Sequence, residues 1–181
     1  SIANSATMQM KERVNAIKAS GAKIADLTVG ESDFDTPEVV KQAAIEAINK
    51  NFTRYTSASG IPELRKELSQ FLKSHNKIDA SLVGPDNVLV TPCAKQGLFY
   101  ILASLLNEED EVIIPEPCWV SYGDITKVNG GAPVFVQSSE KSSFIPQISD
   151  IRFAMTRRTR AILINNPVNP TGAFYEKEYI R

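Results

Sequence analysis

Apolar positions along this chain follow two different rhythms, and the change comes near Gly84. Before it, helical spacing dominates. Met10, Val14 and Ile17 share one face of a first helix, which Ser5 or Thr7 can cap and Gly21 can stop. IADLTV (24–29) reads as a short strand ending at Gly30. Asp35-Thr36-Pro37 opens a second helix, with Pro at the first position and Val40, Ala44, Ala47 and Ile48 at helical spacing. NFTRYTSASG (51–60) is a loop. Pro62 opens a third helix, whose stripe of Leu64, Leu68, Phe71 and Leu72 core packing explains without any ligand.

After Gly84 short apolar runs alternate with helical stretches. NVLVT (87–91), EVIIP (111–115), PVFVQ (133–137) and RAILIN (160–165) read as strands. AKQGLFYILASLL (94–106), CWVSYGDITKVNG (118–130) and a weaker SDIRFAMTRR (149–158) read as the helices between them. Nearly all-apolar strands separated by helices predict a parallel sheet covered on both faces, an α/β fold. No internal repeat or linker interrupts the series. The chain stops at Arg181 just as YEKEYIR starts to look helical, so a piece of a longer protein is the expectation.

Composition narrows the function. A hydrophobic share of 43% supports a real core. Lys+Arg 20 against Asp+Glu 21 leaves a net charge of −1, so no global field recruits nucleic acid or an anionic membrane. The single histidine, His75, lies in the polar run KSHNK, which argues against multi-histidine metal sites and a Ser-His-Asp triad. Cys93 and Cys118 form no CxxC pair and read as reduced thiols. The longest apolar stretch, 99–106, falls far short of the roughly 18 residues that a membrane helix needs. The N-terminal SIANSATMQMKER has no apolar core of a secretory signal. A soluble, cytoplasmic protein is expected.

In an open parallel sheet, ligands bind where strands end and helices begin. Three such loops are unusual here. In TPCAKQG (91–97), the N–H groups of Ala94, Lys95 and Gln96 open a helix and form a phosphate cradle. Lys95 puts a cation against the helix dipole, a conflict that a bound anion would remove; a solvated surface lysine is the alternative. Neither a P-loop nor a GxGxxG fingerprint is present. In EPCWVSY (116–122), Trp119 stands at a strand's carboxyl end, as a packing residue or as a ring that stacks on a planar cofactor. In NNPVNPTG (165–172), two Asn-Pro units stiffen a loop that could hold an asparagine amide toward a ligand, and Gly172 allows a turn.

Together and in order, LTVGESDFDTP, YTSASGIPELR, EPCWVSY and NNPVNPTG resemble the class I/II aminotransferases of PLP fold type I, and in particular the N-terminal part of bacterial-type aspartate aminotransferases. The resemblance implies an incomplete large domain, with a parallel-rich sheet sandwiched by helices, preceded by an N-terminal helical segment. It assigns residues 1–35 to the small domain and 36–181 to the large, PLP-binding domain. It implies transamination between L-aspartate and a 2-oxoacid such as 2-oxoglutarate, with pyridoxal 5′-phosphate as cofactor and a homodimer sharing its active sites. Gly30 then matches the glycine whose backbone lies against the substrate carboxylate. Tyr55 matches the tyrosine that reaches the cofactor phosphate of the neighbouring subunit. Ala94 and Lys95 match the phosphate loop, with Lys95 also meeting a distal substrate carboxylate. Trp119 resembles the ring stacked on the pyridine, and Asn169 the amide bonded to the pyridoxal 3′-oxygen. Ser5 and Thr7 resemble the segment that closes over substrate.

Two positions depart from the family pattern: GEPDF is GESDF here, and the small phosphate loop reads Cys93-Ala94. In the family, the Schiff-base lysine, the aspartate on the pyridine nitrogen and the arginine on the substrate carboxylate all follow the point where this chain ends. No lysine here takes that role by motif, so no catalytic residue is expected within it and the piece alone should be inactive. The same resemblance leaves open an aromatic or kynurenine aminotransferase, a cyclopropane-carboxylate synthase, or a catalytically dead module.

Overall fold

Three of the four apolar runs after Gly84 pair as the pattern predicts. In the computed structural model, which describes residues 6–28 and 30–180, Glu111–Glu116 (β1), Ala132–Gln137 (β2) and Thr159–Ile162 (β3) form a parallel sheet in the order β2-β1-β3. Helices fill the connections: Ala94–Leu105 (α4) before β1, Ser121–Val128 (α5) between β1 and β2, and Ile148–Ala154 (α6) between β2 and β3. Ala6–Ala19 (α1), Glu38–Asn49 (α2) and Pro62–Ser74 (α3) precede them, and Lys177–Ile180 (α7) follows. The fold is α/β.

Two compact units divide the chain, residues 1–29 with 97–181 in one and 30–96 in the other. In the first, β1 is the centre. Val112, Ile113 and Ile114 are all fully buried, which is why this strand reads as a continuous apolar run rather than an alternation. Val112 and Ile114 pack with Leu102, Tyr122 and Ile125, and Leu98, Leu106, Ala161 and Leu163 close the cluster. α5 lies tight on β2: a Cβ at Gly123 would come within 2.9 Å of the Phe135 ring, so glycine sets the approach.

Hydrogen bonds fix which way each backbone group of β1 points. Glu111 donates to Arg158 and the Ile113 carbonyl accepts from Leu163, so the odd positions face β3. Ala132 donates to Asp110 and Ser138 to Glu116, so the even positions face β2. Pro115 is the next odd position and has no N–H. The ladder toward β3 therefore lacks the donor that would reach the Leu163 carbonyl, and β3 ends at Ile162 instead of running to residue 165. Beyond that point the two strands part. At the opposite end of the sheet, the Glu111 carboxylate accepts from Thr156 Oγ1 at 2.5 Å and pairs with Arg158 at 2.9 Å, tying β1 to the turn before β3.

The second unit is held by polar clasps around α3. Buried Ser69 donates to the Val83 carbonyl at 2.7 Å, and Arg65 donates to the Val88 carbonyl and pairs with Asp86. Gly60, at φ +103, lies so close to Val90 that a Cβ would sit 2.6 Å from its Cγ2. NVLVT does not become a ladder strand. Pro85–Asn87 is a 3-10 turn, and 88–91 run without a ladder partner among the described residues. The described part of IADLTV likewise makes no ladder. A strand signature supplies apolar side chains, but a strand also needs a neighbour for its backbone.

Helix boundaries shift locally. Pro37 caps α2 from outside rather than opening it. α5 starts at Ser121, leaving Trp119 in the preceding turn, and α6 ends at Ala154, where Met155 turns extended. α1 stops just before Gly21, which sits at φ +83. Val14 is its buried position, while Met10 and Ile17 are exposed. Thr7 lies inside α1, with its side chain outside the described residues, as Ser5 is altogether.

Candidate functional site

Because β1 and β3 are parallel neighbours, their carboxyl ends open on the same edge of the sheet. β1 delivers Pro117-Cys118-Trp119 there, and β3 delivers the loop from Asn165 to Gly172. That loop is built by two of its asparagines. Asn166 donates through Nδ2 to the Tyr175 carbonyl at 3.0 Å and accepts the Tyr175 N–H at 2.9 Å, so one side chain serves as a strand partner. Asn165 Oδ1 accepts the N–H of Asn169 at 2.9 Å. The loop closes through Val168 to Ala173 and Gly172 to Val168, both at 2.8 Å, with Gly172 at φ +74. Buried Val168 and Tyr175 pin it to the core.

Asn169 is left differently. Only its backbone serves the loop; its side-chain amide makes no hydrogen bond among the described residues and lies at the exposed surface of the loop. Pro115, Cys118, Tyr122, Asn165, Asn169 and Tyr175 are among the residues that line one small crevice where β1 and β3 part. Its lining is neutral. Burial pushes the Cys118 thiol up, with nearby Glu116 adding to the effect. Burial likewise raises the phenols of Tyr122 and Tyr175 above their ordinary value. Trp119 is half-buried and meets the Tyr122 ring edge-on, centroids 5.4 Å apart.

Ala94, Lys95, Tyr55 and Gly30 belong to the second unit. Ala94 and Lys95 form the first turn of α4 and are exposed. The loop before them is tightened by Cys93, whose carbonyl accepts Thr91 Oγ1 at 3.0 Å and the Gln96 N–H at 3.2 Å. Tyr55 sits in the loop between α2 and α3 with its ring fully exposed, lining a shallow groove with Thr53 and Arg54. A Cβ at Gly30 would meet nothing within 4 Å. Sequence reasoning passed over Asn165, Asn166, Tyr122 and Tyr175. The paired asparagines before Pro167 were the one available signal, since a side-chain amide beside a rigid turn is a ready backbone partner. Among the described residues no three His, Cys, Asp or Glu side chains group as a metal site.

A family model described as aminotransferase class I and II matches residues 22–181. This chain belongs to that family. It is 39% identical over 176 residues to an aspartate/prephenate aminotransferase of Thermus thermophilus, covering 97% of this chain and 45% of the relative. It is 39% identical over 181 residues to an aspartate aminotransferase of Geobacillus stearothermophilus, covering 100% and 45%. The solved aspartate aminotransferase of Thermus thermophilus with maleate superposes with a TM-score of 0.92 at 38% identity, covering 99% of this chain and 46% of that one. The chain thus spans under half the length of the relatives it matches. Its sheet and flanking helices are those of the large domain of aminotransferase fold type I, and the aspartate aminotransferases of the family depend on pyridoxal phosphate.

Proposed function

We propose that the protein containing this chain transfers the amino group of L-aspartate to a 2-oxoacid such as 2-oxoglutarate, using pyridoxal 5′-phosphate. The observation that carries the reading is the unclaimed amide of Asn169. Its loop spends the side chains of Asn165 and Asn166 on its own architecture and leaves this one facing out.

The residues present fit the cofactor feature by feature. The first turn of α4 offers backbone N–H groups and the positive end of a helix dipole to a phosphate. Trp119 offers an aromatic surface at a strand's carboxyl end. Asn169 offers an Nδ2 donor for the pyridoxal 3′-oxygen. When bound, the cofactor supplies an electron sink for loss of the substrate α-proton. The chain's own share is to bind and orient. Gly30, around which a Cβ would meet nothing, leaves room for a substrate carboxylate at its backbone. Lys95 meets the distal carboxylate of a dicarboxylic substrate, which is what favours aspartate over a neutral amino acid. Thr7 and Ser5 belong to the segment that closes over substrate.

Residues 1–35 are assigned to the small domain and 36–181 to the large one, and Tyr55 is assigned to reach the cofactor phosphate of the neighbouring subunit in a homodimer. The lysine that holds the cofactor covalently is placed outside residues 1–181. No helix among the described residues is long and apolar enough to cross a membrane, and the free thiols Cys93 and Cys118 suit the reducing cytoplasm.

The test is an absorbance titration of the bound cofactor in the full-length protein. Asn169→Ala removes a hydrogen bond worth about 1.5–3 kcal/mol to a charged partner, so the midpoint should move up by about one to two pH units. An unmoved midpoint refutes the assignment.

A further inference from the structure

Two side chains in the crevice between β1 and β3 are anomalous. Tyr122 is 7% exposed and Tyr175 is 3% exposed, yet neither phenol hydroxyl has a hydrogen-bond partner among the described residues. Nearby Tyr179 shows the usual arrangement, its hydroxyl donating to the Pro146 carbonyl at 2.6 Å. Polar atoms this deep normally find partners, because losing water without replacement is costly. Among the described residues, no fully enclosed side-chain nitrogen or oxygen lacks a partner. Both hydroxyls therefore keep some exposure, and both residues line the same crevice.

Its size and chemistry define what it holds. The cavity is about 10 Å³, close to the smallest space that admits a single water molecule. Its lining is neutral, with Asn169 and Cys118 beside the two phenols. A cation would need a carboxylate, and none lines it; an anion would need a positive group, and none lines it either. Pro115, past the end of the pairing between the two strands, is among the residues that line the crevice.

We propose that this crevice binds one water molecule, and that Tyr122 and Tyr175 act through it as positioning residues for the Asn169 amide. A water that accepts from one phenol and donates to Asn169 Oδ1 decides which end of that amide turns outward. Nδ2 then faces the cofactor as a donor, and a flipped amide, with an acceptor facing the 3′-oxygen, is excluded. This deepens the reading of Asn169 given above and rests on it.

High-resolution crystallography of the full-length protein with bound pyridoxal phosphate should show one ordered water within hydrogen-bond distance of both phenol oxygens. A dry crevice overturns the proposal. In the same protein, absorbance titration of the bound cofactor is compared for Tyr122→Phe/Tyr175→Phe, for Asn169→Ala, and for the triple variant. The expected result is a midpoint moved by about half to one pH unit in the Phe double variant. It should move in the direction of Asn169→Ala, and the triple variant should add nothing further. Phe variants that titrate as wild type, while Asn169→Ala shifts, overturn the positioning role alone. An unshifted Asn169→Ala instead strikes the cofactor reading, and the crystallographic water then stands or falls by itself. Cofactor affinity by fluorescence should change less than threefold in the Phe variants; a larger loss would mean that the phenols support packing rather than orientation.

Discussion

Asn165, Asn166 and Asn169 are one residue type with three duties, and the difference lies in what each amide touches. Asn166 bonds both backbone groups of Tyr175, nine residues on, so Asn166→Ala should destabilise the protein by about 1–3 kcal/mol. Asn169→Ala should stay within about 0.5 kcal/mol of wild type. Urea unfolding midpoints of the two variants check the contrast, and equal losses would contradict the division of labour. The sequence showed a stiff loop with asparagines in it. It did not show which amide was spare, because the partners of the other two are backbone groups fixed only by the folded loop. Lys95 carries the prediction on substrate choice. Lys95→Ala should leave a distal carboxylate unpaired, costing about 2–5 kcal/mol in kcat/KM for aspartate and much less for alanine. Parallel losses for both substrates would make Lys95 a phosphate ligand only.

Among the elements, β1 was legible because burial on both faces turns a parallel strand into an unbroken apolar run, and β2 and the intervening helices were legible from their apolar spacing although β2 is only partly covered. RAILIN was read too long. Its apolar pattern continues to residue 165, but the strand needs a donor from its neighbour, and Pro115 has none to give. The same limit applies to NVLVT, where residues of strand type find no ladder among the described residues. In α2 the helical spacing was right and the burial was not: Val39, Val40, Ile45 and Ile48 are all exposed. Periodicity tells which residues share a face but not whether anything covers it. The amino end of the sheet makes a prediction about acid. Hydrogen bonds from Thr156, and then the Arg158 guanidinium, hold the Glu111 carboxyl below its usual range. A carboxyl lowered on folding contributes stability that is present above its unfolded value and lost as pH falls through the folded one. Thermal melts between about pH 6 and pH 3 should therefore fall more steeply for wild type than for Glu111→Gln; parallel curves would remove Glu111 from the acid response.

For the molecule as a whole, the proposed service of Tyr55 to a neighbouring subunit can be tested directly, and its ring is fully exposed in this chain. Hybrid dimers test it, combining Tyr55→Phe subunits with subunits inactivated at the cofactor lysine. If Tyr55 serves the neighbour, one of the two sites carries neither lesion and substantial activity returns. Activity no higher than that of the Tyr55→Phe enzyme would place Tyr55 in its own subunit's site. A last consequence follows from β2, which forms the rim of the described sheet. Its even positions bond to β1, so Pro133, Phe135 and Gln137 present their backbone outward, and Pro133 brings no N–H. A rim with a gap in its row of donors is a poor template for a stranger's strand. Chains emerging side by side from one polysome all carry this segment at high local concentration, and the proline makes it harder for one nascent sheet to zip onto the next. Pro133→Val is therefore expected to lower the soluble yield of this chain on overexpression, and an unchanged yield would remove that role from the proline.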